Sequence, residues 1–162
     1  MKPHRLLTIA IAAVLLGAGC SGDYESLSEP GEYLVFGDFY GECLGEGCVD
    51  IFKVVDKKLF EDTLDNYPLA SELPHVVQLV ARPADRYDEI VGLIGNVPAK
   101  LFDEKRLVIG QPDAGDWGGF YLETNVSGSV RYWLIDKEAD NLPEYLRDYA
   151  RKLQEAIHIA GG

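Results

Sequence analysis

Between Asn141 and Ile157 the chain carries one long amphipathic period. Tyr145, Leu146, Tyr149, Leu153, Ala156 and Ile157 recur at steps of three and four residues. That spacing stacks them on one stripe of an α-helix. Asn141 is placed to cap the helix and Pro143 suits its first turn. Glu144, three residues after the cap, completes a capping box. A helix with one apolar stripe must lay it on something, and the segments before it read as strands.

Residues 32–40 are aromatic and β-branched and predict a first strand. A second spans 48–55, where Val49, Ile51 and Val55 alternate with Asp50 and Lys53, while Phe52 and Val54 break the alternation. Asp56-Lys57 predicts a tight turn into a short strand over 58–62, and 75–80 predicts a fourth. Pro83 opens a helix with Tyr87, Ile90, Val91 and Ile94 on one face. Gly95-Asn96 and Pro98 stop it, and a short helical turn is expected within 98–105. Strands are expected at 106–110, 120–125 and 130–135, the last two joined through Ser127-Gly128 as a hairpin. Strands, helix, strands, helix is the order of an α+β domain. We expect a largely antiparallel sheet of about five to seven strands with two main helices packed on one face.

The N-terminus has a different character. Lys2 and Arg5 precede an uncharged run from Leu6 to Ala18. A run of about 13 residues is too short for a membrane span, which needs about 20. A charged start, a short apolar run and small residues at its end make a secretory signal peptide. Leu16-Gly17-Ala18-Gly19-Cys20 resembles the lipobox of bacterial lipoproteins, with Gly17 where Leu is more usual. The resemblance implies cleavage before Cys20, a diacylglycerol thioether on its sulfur and acylation of its new amine. Two or more acyl chains are enough for stable attachment. It also implies that Ser21 favours the outer membrane over the inner in a host that has both. The expected organisation is a signal peptide over 1–19, a flexible tether over 20–31 rich in Ser, Gly, Glu and Pro, and one globular domain over 32–162.

Removing Lys2 and Arg5 with the signal peptide leaves 13 basic against 27 acidic residues, a formal charge of −14. Such a surface repels phosphate backbones and argues against nucleic acid as a partner. By the same reasoning the anchor, rather than the domain, is expected to hold the protein to the membrane. Solubility alone accounts for the charge, with cationic partners or metal ions as the alternatives.

With Cys20 committed to lipid, Cys43 and Cys48 remain. An even pair in an exported protein predicts a disulfide. A redox pair usually has a two-residue spacing at a helix start, and a metal pair needs further ligands nearby; neither pattern is present in the sequence around them. The segment Phe39-Tyr40-Gly41-Glu42-Cys43-Leu44-Gly45-Glu46-Gly47-Cys48 resembles the opening of small bacterial lipoprotein domains of unassigned function, and brings no activity or site with it.

Nucleophile elbows, zinc-binding helices and phosphate-cradling loops are absent from the sequence. His75 and His158 read as structural, the first at a strand start and the second in the last turn of the final helix. The loop 111–119 is the candidate ligand site, with Asp113, Asp116 and Trp117 among glycines and Tyr121 just beyond. Loops held between strands often carry function. Trp117 and Tyr121 suit stacking on a sugar or peptide. The plain alternative is a long turn with Trp117 packed on the core. Two carboxylates fall short of the six or more oxygens that calcium takes, so neither a metal nor a cofactor is expected.

Three functions follow, in descending order. The first is a lipid-anchored binding or interaction module with a protein partner in the cell envelope. The second is a structural envelope lipoprotein without a discrete ligand. The third is a small hydrolase of cell-wall or glycan material, whose carboxylates would have to meet in a cleft near Asp113, Asp116 and Glu123.

Overall fold

The computed structural model describes residues 24–26, 31–43 and 47–162. The signal segment and Cys20 lie outside them. Nine strands and three α-helices follow in chain order: β1 (Tyr24–Ser26), β2 (Tyr33–Phe39), β3 (Val49–Val55), β4 (Lys58–Asp62), β5 (Leu79–Ala81), α1 (Ala84–Ile94), β6 (Asn96–Pro98), α2 (Ala99–Phe102), β7 (Val108–Ile109), β8 (Gly119–Val126), β9 (Ser129–Asp136) and α3 (Glu144–Gly161). Seven strands form one sheet in the order β5-β4-β3-β2-β8-β9-β7, antiparallel except for β7 beside β9. The α+β reading therefore holds.

Two hairpins shape the sheet. Asp56 (φ 49°) and Lys57 (φ 58°) join β3 to β4, and Ser127 (φ 51°) and Gly128 (φ 78°) join β8 to β9. Two central residues with positive φ give the turn whose twist matches antiparallel strands. The centre of the sheet is made at long range, because β2 pairs along its whole length with β8, from Tyr33 opposite Asn125 to Phe39 opposite Gly119.

Both faces of the sheet are covered, which explains why Phe52 and Val54 broke the alternation of β3. They face the helices with Leu34, Phe36, Leu59, Phe120, Leu122, Trp133 and Ile135. α3 lays Leu146, Tyr149, Leu153, Ala156 and Ile157 on that layer, and α1 adds Ile90 and Ile94. Tyr149 also donates its hydroxyl to the carbonyl of Ile94 at 3.0 Å, tying the two helices together. On the other face Val35, Phe39, Val49, Ile51, Tyr121 and Leu134 form a second core, under Leu73 and Val77 of the 63–78 connection.

Some expectations change. The strand expected over 75–80 forms only at Leu79–Ala81, and that over 106–110 only at Val108–Ile109. Both are sheet edges, and the residues before β5 turn inward to cover the second core. The capping box is replaced by Pro143 at the cap with no side-chain bond to the helix. Asn141 instead donates its amide to the buried Asp136 carboxylate at 2.9 Å. Within the segment read as a tether, β1 pairs antiparallel with β6, Tyr24 opposite Pro98 and Ser26 opposite Asn96. No helix among the described residues is long and apolar enough to cross a membrane.

Candidate functional site

The loop before β8 is built from residues in the left-handed region. Asp113 (φ 60°), Gly115 (φ 68°), Asp116 (φ 64°) and Gly118 (φ 77°) all have positive φ. A non-glycine residue rarely adopts this conformation, and one that does is held there by its surroundings. Here the holding groups can be named. The Asp113 amide donates to the Gly118 carbonyl at 2.7 Å, and the Gly118 amide donates back to the Asp113 carboxylate at 3.1 Å. The Tyr67 hydroxyl donates to the other Asp113 oxygen at 2.9 Å. Burial, and then that bond, push the Tyr67 phenol up to about 12. Gly118 is required: a Cβ there would sit 2.6 Å from the Tyr40 ring and 2.7 Å from the Phe39 carbonyl.

This frame lifts Trp117 off the protein, leaving it 78% exposed. The loop is a rigid display of an indole, which departs from the alternative that Trp117 packs on the core. Asp116 is exposed beside it. Tyr121, by contrast, is fully buried in the second core and takes no part in this surface.

The surroundings of Trp117 were not legible in the sequence. Tyr67 comes from the distant 63–78 connection and stands edge-on to Phe39, ring centroids 5.0 Å apart. Cys43 and Cys48 are joined by a disulfide that closes the β2–β3 connection. Tyr40, Gly41, both half-cystines, Val49, Asp65 and Tyr67 line a hollow of about 440 Å³. Beside it, Asn66, Tyr67, Leu69, Glu72, His75 and Val76 line a second of about 340 Å³, with Val76 71% exposed. This end of the sheet thus offers an exposed indole, a half-exposed phenol and aliphatic side chains. Its charges are mainly negative. Burial and the neighbouring Asp38, Asp65 and Glu61 raise the Asp50 carboxyl. Lys137 stands among them, bound to Asp38 at 2.7 Å, donating to the Tyr40 hydroxyl and lying over the Tyr40 ring at 4.3 Å.

A separate polar chain runs inside the second core. Glu123 is buried and accepts the hydroxyl of Tyr33 at 2.8 Å and that of Tyr121. The Tyr121 oxygen in turn accepts the amide of His75 at 3.1 Å. His75 Nε2 lies 3.4 Å from Asp62, whose carboxylate also accepts the amides of Gln78 (2.6 Å) and Leu64 (3.2 Å). Burial, followed by the bond to Glu123, pushes Tyr33 up to about 12 and raises Tyr121 further. This chain pins the 63–78 connection to the sheet, which is the structural role expected of His75. His158 is exposed in the last turn of α3.

Of the three carboxylates that a hydrolase would need, Glu123 is kept apart from Asp113 and Asp116 of the loop. Asp113 is bonded to Gly118, while Glu123 lies five residues further along β8, about 16 Å at the rise of a strand. Glu123 is also occupied by two phenols. Among the described residues no group of three His, Cys, Asp or Glu side chains is arranged to hold a metal ion. No family model matches the sequence, and comparison with characterised proteins finds no match.

Proposed function

We propose that the protein is a lipid-anchored module of the cell envelope that binds a partner protein with the Trp117 end of its sheet. Cys20 supplies the anchor, and the outer membrane is the favoured site. The observation that carries the binding reading is Trp117 itself. An indole left 78% exposed on a turn braced by Asp113, Tyr67 and Gly118 gives the fold no packing in return. Tryptophan is among the residues that dominate binding energy at interfaces, and a rigid one loses little entropy on docking. Val76, Leu69 and Tyr67 extend the apolar surface, and the surrounding carboxylates favour a partner with basic groups.

The test is crosslinking capture from intact cells with the wild-type chain, Trp117→Ala and Cys20→Ala. The expected result is one envelope protein enriched by the wild type and lost with Trp117→Ala. Cys20→Ala should lose membrane attachment and palmitate-analogue labelling. Equal capture by wild type and Trp117→Ala would overturn the binding surface, and normal acyl labelling of Cys20→Ala would overturn the anchor.

A further inference from the structure

The two edges of the sheet are unlike. β5 and β7 end the strand order. β7 is two residues long and follows closely on Lys105 and Arg106. A short strand beside charged residues is a usual guard against pairing with another chain. β5 lacks the charges. From Leu73 to Ala81 the chain carries no Asp, Glu, Lys or Arg, and Val76 and Val80 of this run are 71% and 51% exposed. Among the described residues, five of the eight large apolar side chains left exposed lie between Leu64 and Val80, which concentrates apolar surface on this edge and on the connection leading to it.

The ladder shows which backbone groups this edge leaves over. The Thr63 amide donates to the Gln78 carbonyl and the Arg82 amide to the Leu59 carbonyl, each at 2.9 Å. In an antiparallel pair such bonds fall on alternate residues, so Gln78, Val80 and Arg82 direct their backbone groups at β4. Leu79 and Ala81 direct theirs outward, where no strand stands among the described residues. Two N–H and two C=O groups in a row, with an exposed valine between them, are what an added strand uses.

The neighbouring charges select the kind of strand. β4, α1 and the link before α1 carry Lys58, Arg82 and Arg86 against Glu61, Asp62, Asp85, Asp88 and Glu89, three cations to five carboxylates. Arg82 is already bound to Glu61 and Arg86 to Glu89. Asp85 and Asp88 are exposed just past the edge. A basic segment is attracted here, whereas a second copy of this chain, with its formal charge of −12, is repelled. The edge also continues the surface assigned to the partner. The Tyr67 hydroxyl is bound to Asp113, Tyr67 and Val76 line one hollow, and Val80 follows four residues on.

We propose that the partner docks an extended segment on β5: a run alternating Lys or Arg with small apolar residues adds to the seven-stranded sheet as a further strand, bonded to Leu79 and Ala81 and packed on Val80. The inference rests on the partner binding proposed above and names its mode. Main-chain bonds hold the segment, Val80 selects the side chain that lies beside it, and the acidic neighbours select its charge. Pairing along so short a strand adds to the contact at Trp117 and does not replace it.

The test uses the full mature protein and the peptide acetyl-Lys-Val-Lys-Val-Lys-Val-Lys-amide, with residue-resolved amide exchange as the readout. In excess peptide, exchange at Leu79 and Ala81 should slow about tenfold, the factor one added hydrogen bond supplies. Val80, already bonded to β4, should not change. Ala81→Pro removes an outward N–H that the ladder does not use, at a position where an edge strand tolerates proline, and should abolish the slowing at Leu79. Val80→Lys sets a like charge against the peptide on an exposed site and should do the same, whether or not Ala81→Pro folds. No slowing, slowing that persists in both variants, or equal slowing by the peptide with Glu in place of Lys overturns the proposal. Slowing that grows with protein concentration in the absence of peptide makes a second copy the occupant and overturns it too. In the cellular capture, loss with Trp117→Ala but not with Ala81→Pro leaves the Trp117 surface standing and overturns strand addition. Equal capture by wild type and Trp117→Ala overturns the Trp117 surface and, with it, the partner that this edge serves.

Discussion

Glu123 shows what a single buried carboxylate demands of its neighbours. A charge taken out of water is tolerated only when hydrogen bonds replace the water, and the Tyr33 and Tyr121 hydroxyls do so here. The arrangement favours neutral phenols. A phenol whose pKa is raised on folding stabilises the fold fully below its unfolded value, near 10, and loses that contribution as pH rises through the folded value. With Tyr33 and Tyr67 both at about 12, thermal stability should fall between pH ~10 and ~12. Melting curves checked against tyrosinate absorbance test this, and a melting temperature flat across that window would contradict it. Asp136 is the second such residue. It accepts the amides of Gln111 (2.7 Å) and Glu138 (2.8 Å) and the Asn141 side chain (2.9 Å). Asp136→Ala removes the acceptor of three hydrogen bonds and should cost about 1–3 kcal/mol in denaturant unfolding. Neither cluster was legible in the sequence. Tyr33 and Glu123 are 90 residues apart, and nothing local marks a strand glutamate as buried.

At the scale of elements the periodic segments were legible and the edges were not. The stripe Leu146, Tyr149, Leu153, Ala156 and Ile157 could belong only to a helix, and α3 carries it onto the sheet. Leu153→Ala should therefore cost about 2–5 kcal/mol, the range for truncating a fully buried leucine, read from the denaturant midpoint. The start of α3 was misread because the capping residue competes for two partners. Asn141 has a good capping side chain, but a buried carboxylate five residues upstream takes it. β5 and β7 came out shorter than expected because an edge strand has one neighbour, so loop packing decides where its ladder ends. The Cys43–Cys48 bridge was legible from the even pair that remains once Cys20 is read as lipidated. It closes a small ring, so its removal by paired Cys→Ser substitution should cost only about 2 kcal/mol.

At the scale of the whole molecule the two tryptophans make opposite predictions. Trp133 is buried against Phe102, and Trp133→Ala should cost about 3–5 kcal/mol. Trp117 stands clear of the core, so Trp117→Ala should change stability by no more than about 0.5 kcal/mol. Comparing the two melts separates residues kept for the fold from residues free to serve a surface. The sequence marked the loop of Trp117 as a place to look, but not its neighbours. Tyr67 and the disulfide reach it only through the pairing of distant strands. That pairing has a consequence in time. The sheet is centred on β2 against β8, and its helix layer is completed by α3 at the far end of the chain. A nascent chain that has emerged only as far as β4 owns a three-stranded meander with neither face covered. The cooperative fold must wait for the last residues, as expected for a topology dominated by non-local contacts. Such a polypeptide stays threadable until its synthesis is nearly over, which suits the export proposed above.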